Sequence, residues 1–236
     1  MAGRPDAHLP IRLSGSLAFM KVVRAVVAAE HPVVRSVIDL ACQEAGVTVV
    51  ANLETALATI EACRSSRPDL LVLDLELPDA DGFQVLSDLD DADRPAAVLV
   101  LSDHTAGDTV LRALRLGARG YVRKAEGLRG LAWTIRRVLA GERVIAPSLE
   151  QDAVLALGRF AKRAREGAEV AAELTSRERQ VLELMSDGHT MRQIATRLSI
   201  SPRTVETHVA KIYRKLGVRT RVQAVSRAAT LGLVEL

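Results

Sequence analysis

The stretch Leu70-Leu71-Val72-Leu73-Asp74-Leu75-Glu76-Leu77-Pro78-Asp79-Ala80-Asp81-Gly82 decides how the chain folds. Its first four residues are apolar without a break, a pattern typical of a strand that is buried on both faces of a parallel sheet. The run ends on Asp74, after which Pro78 and Gly82 favour a loop. Open α/β sheets bind ligands at the carboxyl ends of their strands, so Asp74 is a candidate functional residue. A strand cap or a turn aspartate is the alternative.

Around this stretch, from Lys21 to about Ala140, segments with strand and helix periodicity alternate. Five such units predict an α/β fold, with a doubly wound, flavodoxin-like, five-stranded parallel sheet between helices. The predicted strands are residues 22–28, 47–51, 70–74, 97–101 and 120–122. The predicted helices are residues 32–45, 53–63, 83–89, 109–116 and 128–139.

The rest of the chain predicts a tail, a linker and a second domain. Residues 1–19 show no periodicity and predict a disordered N-terminal tail, followed by the α/β domain at 20–141. Residues 142–173 predict a helical linker, with its helix at 149–168, and residues 174–236 predict a small all-α domain of four helices. In that domain Thr175 and Glu178 form a capping box, and Ser201 with Pro202 begins a helix that ends near Leu216.

The charge of the chain is unevenly distributed. Residues 1–146 carry 17 Lys/Arg and 19 Asp/Glu, whereas residues 147–236 carry 15 and 10. A basic second half indicates a nucleic-acid partner. No apolar run reaches the roughly 20 residues of a membrane span, and the N-terminus lacks the pattern of a signal peptide. With Cys42 and Cys63 interpreted as reduced thiols, we expect a cytoplasmic protein with no membrane partner.

The α/β part carries further polar residues where predicted strands end. Ser102 follows the fourth strand and Lys124 follows the fifth, in addition to Asp74, Pro78 and the Asp81-Gly82 pair. In this set of residues the segment 20–140 resembles the receiver domain of bacterial two-component response regulators. The resemblance implies that Asp74 accepts a phosphoryl group from a cognate histidine kinase.

The same resemblance implies a metal site and a switch. Mg²⁺ is the implied cofactor, held by Glu30, Asp74 and the backbone carbonyl of Glu76. Ala29 replaces a first acidic residue that is usual in the family, so weaker Mg²⁺ binding is expected. The implied phosphoryl-sensing residues are Ser102, Lys124 and the switching aromatic Tyr121. A strand cap, a solvated lysine and a core tyrosine are the respective alternatives.

A second resemblance covers residues 174–236, which are similar to the DNA-binding domain of LuxR-type regulators. This segment holds 11 Lys/Arg and 5 Asp/Glu. Together the two resemblances indicate the NarL/FixJ class of response regulators. The matching residues are Leu174-Thr175-Ser176-Arg177-Glu178, Gly188, Ile194-Ala195, Leu198, the run from Ser201 to Val209, and Lys215-Leu216-Gly217-Val218.

This resemblance implies that the helix after Ser201 reads double-stranded promoter DNA in the major groove. Glu206 departs from family members with lysine there, which affects target preference. The fourth helix would pair two copies, although core packing accounts for part of its apolar face. An ordinary solvated face is the alternative for the DNA-reading helix. The implied base-facing residues are Glu206, Thr207 and Ala210; the phosphate-facing ones are Thr190, Arg192, Arg203, Thr204, Lys211 and Arg214; the dimerisation residues are Val222, Val225 and Ala229.

The sequence therefore predicts a DNA-binding transcriptional regulator of a two-component system, controlled by phosphorylation of Asp74 and binding DNA as a homodimer. One alternative is a phosphorylation-independent DNA-binding regulator, whose pocket with Ala29 responds to a ligand or protein partner. Another is a signalling adaptor whose receiver mainly binds proteins. We do not expect an enzyme, because the sequence shows no nucleophile–base pair and no Cys/His metal cluster.

Overall fold

The computed structural model describes residues 22–90, 92–127 and 130–234. The predicted tail at 1–19 lies outside the described residues. By its internal contacts the chain forms two compact units. Of the described residues, the first comprises those at 22–102 and 116–144, and the second comprises those at 103–115 and 145–234.

The first unit is built on a sheet of six strands in the order β2-β1-β3-β4-β5-β6. The four pairings among β1 to β5 are parallel, which confirms the predicted α/β architecture. The additional strand, β6, has two residues and was not predicted, because so short a segment shows no periodicity. The strands are β1 (Val23–Ala28), β2 (Val47–Leu53), β3 (Leu70–Asp74), β4 (Ala97–Ser102), β5 (Gly120–Arg123) and β6 (Val144–Ile145).

Helices connect the strands, and side-chain caps set where two of them begin. The hydroxyl of Thr55 accepts a hydrogen bond from the Ala58 N–H, so α2 starts three residues later than predicted, after β2 has continued to Leu53. The carboxylate of Asp81 caps α3 in the same way. The helix predicted at 128–139 corresponds to α6, which begins at Leu131, and a separate four-residue helix, α5, precedes it and was not predicted. The helices are α1 (Pro32–Glu44), α2 (Ala56–Ser66), α3 (Gly82–Asp88), α4 (Gly107–Arg115), α5 (Lys124–Gly127) and α6 (Leu131–Leu139).

The core of the first unit is aliphatic and encloses the central strand. All five residues of β3 are buried, including the terminal Asp74. Cys42 and Cys63 are free and buried. Burial raises the pKa of each thiol to about 12, with Asp39 adding to the effect at Cys42. Both thiols are therefore protonated at neutral pH and act as small apolar core residues.

Apart from Ile145, the last residue of β6, the regular structure described in the second unit is helical, and the unit has a core of its own. Its linker helix, α7, is longer at both ends than the predicted 149–168, because Pro147 begins it and its last turn reaches Glu173. Within this unit α4 packs against α7, and a Cβ on Gly107 would collide with the backbone of Asp152. The remaining helices are α7 (Pro147–Glu173), α8 (Ser176–Ser186), α9 (Met191–Arg197), α10 (Pro202–Leu216) and α11 (Arg221–Thr230). The core residues include Val181, Leu182, Ile194, Val205, Ile212 and Ala224.

The loop after β3 folds back onto the end of that strand. The Gly82 N–H donates to the Leu75 carbonyl at 2.8 Å, and Glu76 forms an isolated bridge with Asp81. A Cβ on Gly82 would lie 2.7 Å from the Asp74 carbonyl oxygen and 2.7 Å from the Leu75 Cα. Only glycine allows so close an approach of two backbone segments. The Asp81-Gly82 pair thus helps to fix the position of Asp74.

Replacing Gly82 with alanine is expected to destabilise the first unit by about 1–3 kcal/mol, the usual cost of forcing extra atoms into a packed site. Urea unfolding followed by the fluorescence of Trp133, the single tryptophan, should show a lower midpoint. Gly158→Ala is the matched control, because its Cβ would enter open space in the middle of α7. An equal shift in both variants would contradict this account.

Candidate functional site

Three ionisable side chains meet at the carboxyl end of β3; we call Asp74, Glu76 and Lys124 the Asp74 cluster. The Lys124 Nζ lies 2.9 Å from the Asp74 Oδ1 and 2.7 Å from the Glu76 Oε2. The Glu76 N–H donates to the same Asp74 Oδ1 at 3.0 Å. The side chains of Asp74, Lys124 and Glu76 are 1, 14 and 49% exposed, respectively. The cluster therefore runs from the core towards solvent.

Burial and charge act in opposite directions on this cluster. Burial raises the pKa of Asp74 above its ordinary value, although the Glu76 N–H and the Lys124 ammonium counteract the rise. Burial alone would lower the pKa of Lys124, but the carboxylates of Glu76 and Asp74 outweigh burial and raise it. Lys124 is thus a permanent ammonium at neutral pH, and two carboxylates share it.

The register of the sheet brings Ser102 and Lys124 to the same edge as Asp74. Asp74 is paired with Leu101 of β4, and Ser102 is the next residue of that strand. Ser102 is in turn paired with Arg123 of β5, and Lys124 is the residue that follows Arg123. Ser102 is fully buried at the end of β4. Tyr121 is also fully buried, inside β5 and three residues before Lys124. Tyr121 is therefore part of the core of the first unit.

The first strand is followed by Ala29 and Glu30, where the family usually has two acidic residues. Ala29 is fully buried, and Glu30 is exposed. The Arg35 Nη1 donates to the carbonyls of Ala29 at 2.6 Å and Glu30 at 2.7 Å. A guanidinium therefore contacts the backbone where the family resemblance implies a carboxylate. Sequence reasoning missed Arg35, since no motif marks it.

The implied metal ligands are all hard oxygen donors. Mg²⁺ commonly binds through one or two carboxylates together with water and phosphate oxygens, so Glu30, Asp74 and the Glu76 carbonyl are a suitable set. Among the described residues, no group of three or more His, Cys, Asp or Glu side chains is placed to hold a metal ion.

In the second unit, α10 presents a polar face opposite its buried face. Val205, Val209, Ile212 and Leu216 are buried. The Ser201 hydroxyl accepts from the Thr204 N–H at 3.1 Å and caps the helix, and Gly217 ends it in the left-handed region at φ 67°. All seven predicted DNA-facing residues of this helix are exposed: Arg203, Thr204, Glu206, Thr207, Ala210, Lys211 and Arg214.

Several of the predicted contact residues already have local partners. The Thr190 hydroxyl accepts from the Gln193 N–H as the cap of α9, while Arg192 is exposed. The Thr207 hydroxyl donates to the Arg203 carbonyl at 3.0 Å. Thr190 therefore has a structural role whether or not it also contacts DNA.

A buried ion pair joins α8 to α10. The sequence predicted only the capping box of Thr175 with Glu178 and not this pair. The Lys215 Nζ lies 2.6 Å from the Glu178 Oε2 and donates to the Glu173 carbonyl at 2.7 Å. The same Glu178 oxygen accepts from the Thr175 N–H at 2.8 Å. Burial alone would raise the pKa of Glu178, but Lys215 and the bonds from Thr175 outweigh it and lower the pKa to about 2.

The predicted dimerisation residues on α11 are not equivalent. Val222 is 79% exposed, whereas Val225 packs against the core of the unit. Ala229 is partly exposed. Of the three residues, Val222 is thus the one most available to a second copy of the chain. Val225 contributes to core packing within its own unit, the alternative that the sequence left open.

The first unit has a parallel sheet in which a buried aspartate at the end of a strand lies beside a lysine. The second unit has a capped basic helix with an exposed polar face. This combination is that of a DNA-binding response regulator. The family model for the response regulator receiver domain matches residues 25–136, and that for the luxR family of bacterial regulatory proteins matches residues 172–228. The chain belongs to the two-component response regulators with a LuxR-type DNA-binding domain, and it is a regulator of transcription.

Several named bacterial proteins match most of the chain. The chain is 34% identical to the probable transcriptional regulatory protein NarL of Mycobacterium tuberculosis, over 90% of this chain and 96% of the relative. It is 33% identical to the nitrate/nitrite response regulator protein NarL of Escherichia coli, over 83% and 89%. It is 32% identical to the DNA-binding transcriptional activator DevR/DosR of M. tuberculosis, over 89% and 95%.

Solved structures support the fold. A two-component response regulator of the LuxR family from Aurantimonas sp. is 29% identical with a TM-score of 0.52, covering 59% of this chain and 99% of that one. The RcsB response regulator of Salmonella typhimurium is 21% identical with a TM-score of 0.52, covering 89% and 99%. In the described part of our chain, no helix has both the length and the apolarity that crossing a membrane requires.

Replacing Lys215 with methionine is expected to destabilise the DNA-binding unit by about 2–4 kcal/mol at neutral pH, because Glu178 loses its buried partner. The pKa of Glu178 is depressed in the folded state, so its contribution is present above the unfolded value of 4.5 and is lost as pH falls towards about 2. Chemical unfolding at several pH values should therefore show the difference between wild type and variant shrinking below about pH 4.5. A difference that stays constant down to pH 2 would argue against this pair.

Proposed function

We propose that this regulator is a cytoplasmic response regulator that a histidine kinase phosphorylates on Asp74, and that it then binds promoter DNA through α10 as a homodimer. The observation that carries the proposal is the buried carboxylate of Asp74 with the Lys124 ammonium 2.9 Å away. We place its functional boundaries at 20–141 for the receiver, 142–173 for the linker and 174–236 for the DNA-binding domain. In this reading the chain is a substrate of the kinase and not an enzyme.

Phosphorylation of Asp74 is a nucleophilic displacement at phosphorus. The carboxylate forms an acyl phosphate while the bond from phosphorus to the kinase histidine breaks, and that histidine leaves with the electron pair. Both hydrogen bonds to the Asp74 carboxylate reach Oδ1, so Oδ2 is the oxygen that we assign as nucleophile. Lys124 would pair with a phosphoryl oxygen, and the Ser102 hydroxyl would donate to another, with Tyr121 following its loop.

Mg²⁺ held by Glu30, Asp74 and the Glu76 carbonyl would supply positive charge that offsets the repulsion between carboxylate and phosphate. Receiver domains generally bind Mg²⁺ for phosphorylation. In this chain Ala29 supplies no charge, and the guanidinium of Arg35 lies on the adjacent carbonyls. We therefore propose weak metal binding. This feature also supports the alternative, a DNA-binding regulator that works without phosphate, and the experiments below separate the two.

For DNA binding, the exposed face of α10 supplies side chains for both kinds of contact. Thr207, Ala210 and the carboxylate of Glu206 would face bases, where a carboxylate can accept from a cytosine amino group. The phosphate contacts would fix the position of the helix without reading sequence. Val222, with Val225 and Ala229, would pair two copies across a two-fold axis to match paired half-sites. The residues proposed for phosphate contacts are Thr190, Arg192, Arg203, Thr204, Lys211 and Arg214.

A fragment from about Leu174 onward is expected to bind DNA chosen from a random pool, with affinity that falls steeply as salt increases. Lys211→Ala should weaken binding to all sequences and reduce the salt slope by about 1, whereas Thr207→Ala should change which sequence is preferred. In the full chain, Arg165→Ala on α7 is a matched control for loss of one exposed cation and should leave affinity unchanged. No binding to any DNA at low salt would refute the assignment of α10.

The wild-type receiver is expected to be limited by Mg²⁺ when it is labelled with acetyl phosphate and weighed by intact mass spectrometry. Ala29→Asp should lower the Mg²⁺ concentration that gives half the maximal labelling rate, because it adds a carboxylate beside Glu30. Asp74→Asn should abolish labelling in both backgrounds, since an amide forms no acyl phosphate.

Two outcomes would change the interpretation of that experiment. If Ala29→Asp gains a phosphoryl group but wild type never does, phosphate control has been lost and the phosphate-independent alternative is favoured. If neither protein is labelled, the block lies elsewhere in the Asp74 cluster, and our account of position 29 is wrong.

A further inference from the structure

The carboxylate of Glu76 contacts the same ammonium that the phosphoryl group needs. Its Oε2 lies 2.7 Å from the Lys124 Nζ, closer than the 2.9 Å between Lys124 and Asp74. The resemblance to receiver domains gives a role only to the backbone carbonyl of Glu76, as a metal ligand. It gives no role to the contact between the Glu76 side chain and Lys124. A lysine ammonium has three N–H donors, and here two of them point to carboxylates.

The backbone of Glu76 is held in place, whereas its side chain reaches towards solvent. Its N–H donates to the Asp74 Oδ1 at 3.0 Å, and its bridge to Asp81 ties the loop together. The Glu76 side chain is 49% exposed, but that of Lys124 is only 14% exposed. The carboxylate of Glu76 is therefore the more solvent-exposed member of its pair with Lys124.

Approach of a phosphoryl group then meets two obstacles. The anionic group must take over at least part of the Lys124 ammonium from Glu76, and it meets the negative charge of the Glu76 carboxylate. Exposed ion pairs of this kind contribute up to about 1 kcal/mol, which corresponds to a factor of about five in a rate or an equilibrium. The effect is moderate and measurable.

Resting on the proposed phosphorylation of Asp74, we propose that Glu76 is a positioning residue that acts through Lys124. In the unphosphorylated protein it retains the ammonium, and it releases the ammonium when a phosphoryl group binds. Glu76 thus slows the phosphorylation of Asp74 and raises the threshold for activation. The opposite role, in which Glu76 speeds the reaction by supplying the charge missing at Ala29, predicts the opposite sign for its removal.

The test compares the labelling of full-length wild type and Glu76→Gln by acetyl phosphate at saturating Mg²⁺, followed by intact mass. Glu76→Gln keeps the shape of the side chain and removes its charge, so it is expected to label about two- to fivefold faster. Glu61→Gln, on the exposed side of α2, removes one carboxylate elsewhere and should label at the wild-type rate. The gain from Glu76→Gln should disappear in a Lys124→Met background, because the proposed effect passes through the lysine.

A second measurement does not depend on phosphorylation. In trace acetylation with acetic anhydride, the Lys124 amine should react faster in Glu76→Gln than in wild type, because it loses the carboxylate oxygen that lies 2.7 Å from its Nζ. Lys162 and Lys211, which are exposed on other helices, are internal standards.

Each outcome bears on the proposal. Slower labelling of Glu76→Gln would overturn it in favour of the charge-supplying role, with the proposed function intact. A gain that persists without Lys124, or unchanged Lys124 reactivity, would also overturn it. A wild type that never labels while Lys124 reactivity rises as expected would refute phosphorylation of Asp74 but leave the Glu76–Lys124 contact established.

Discussion

The burial of one carboxylate at the end of a fully buried strand constrains the rest of the first unit. An unpaired charge in such a place would cost several kcal/mol, so Asp74 requires partners. The Glu76 N–H and the Lys124 ammonium provide them, and both depend on loops at the carboxyl end of the sheet. The close approach of Gly82 to the Asp74 carbonyl holds one of those loops in place. The same arrangement keeps the Lys124 ammonium and the Glu76 carboxylate beside Asp74.

A similar principle organises the DNA-binding unit. Glu178 caps α8 through the Thr175 N–H and pairs with Lys215, whose ammonium also caps the end of α7 at the Glu173 carbonyl. One buried charge pair therefore connects three helices. Because α10 is anchored in this way on its inner side, its exposed cations can be positioned for a duplex without being used for internal contacts.

Two features of this chain bear on the same proposed step. Ala29 removes a carboxylate from the proposed metal site, while Glu76 places one on the ammonium that would receive the phosphoryl group. As we propose, the first would weaken Mg²⁺ binding and the second would occupy Lys124, so both would act against phosphorylation.

The sequence by itself determined the α/β architecture, the buried strand 70–74, the capping box of Thr175 with Glu178 and the capped basic helix, because these depend on local periodicity and on side chains within a few residues of each other. It also placed Asp74, Ser102 and Lys124 at one edge of the sheet, since parallel strands end at a common edge. Only the tertiary structure decided the contacts of Glu76 with Lys124, Arg35 with the carbonyls of Ala29 and Glu30, and Glu178 with Lys215. The pairs Glu76–Lys124 and Glu178–Lys215 join residues that are 48 and 37 positions apart in the sequence. In these two pairs, and in the contact of Arg35, the folded chain selects which partner each charged group meets.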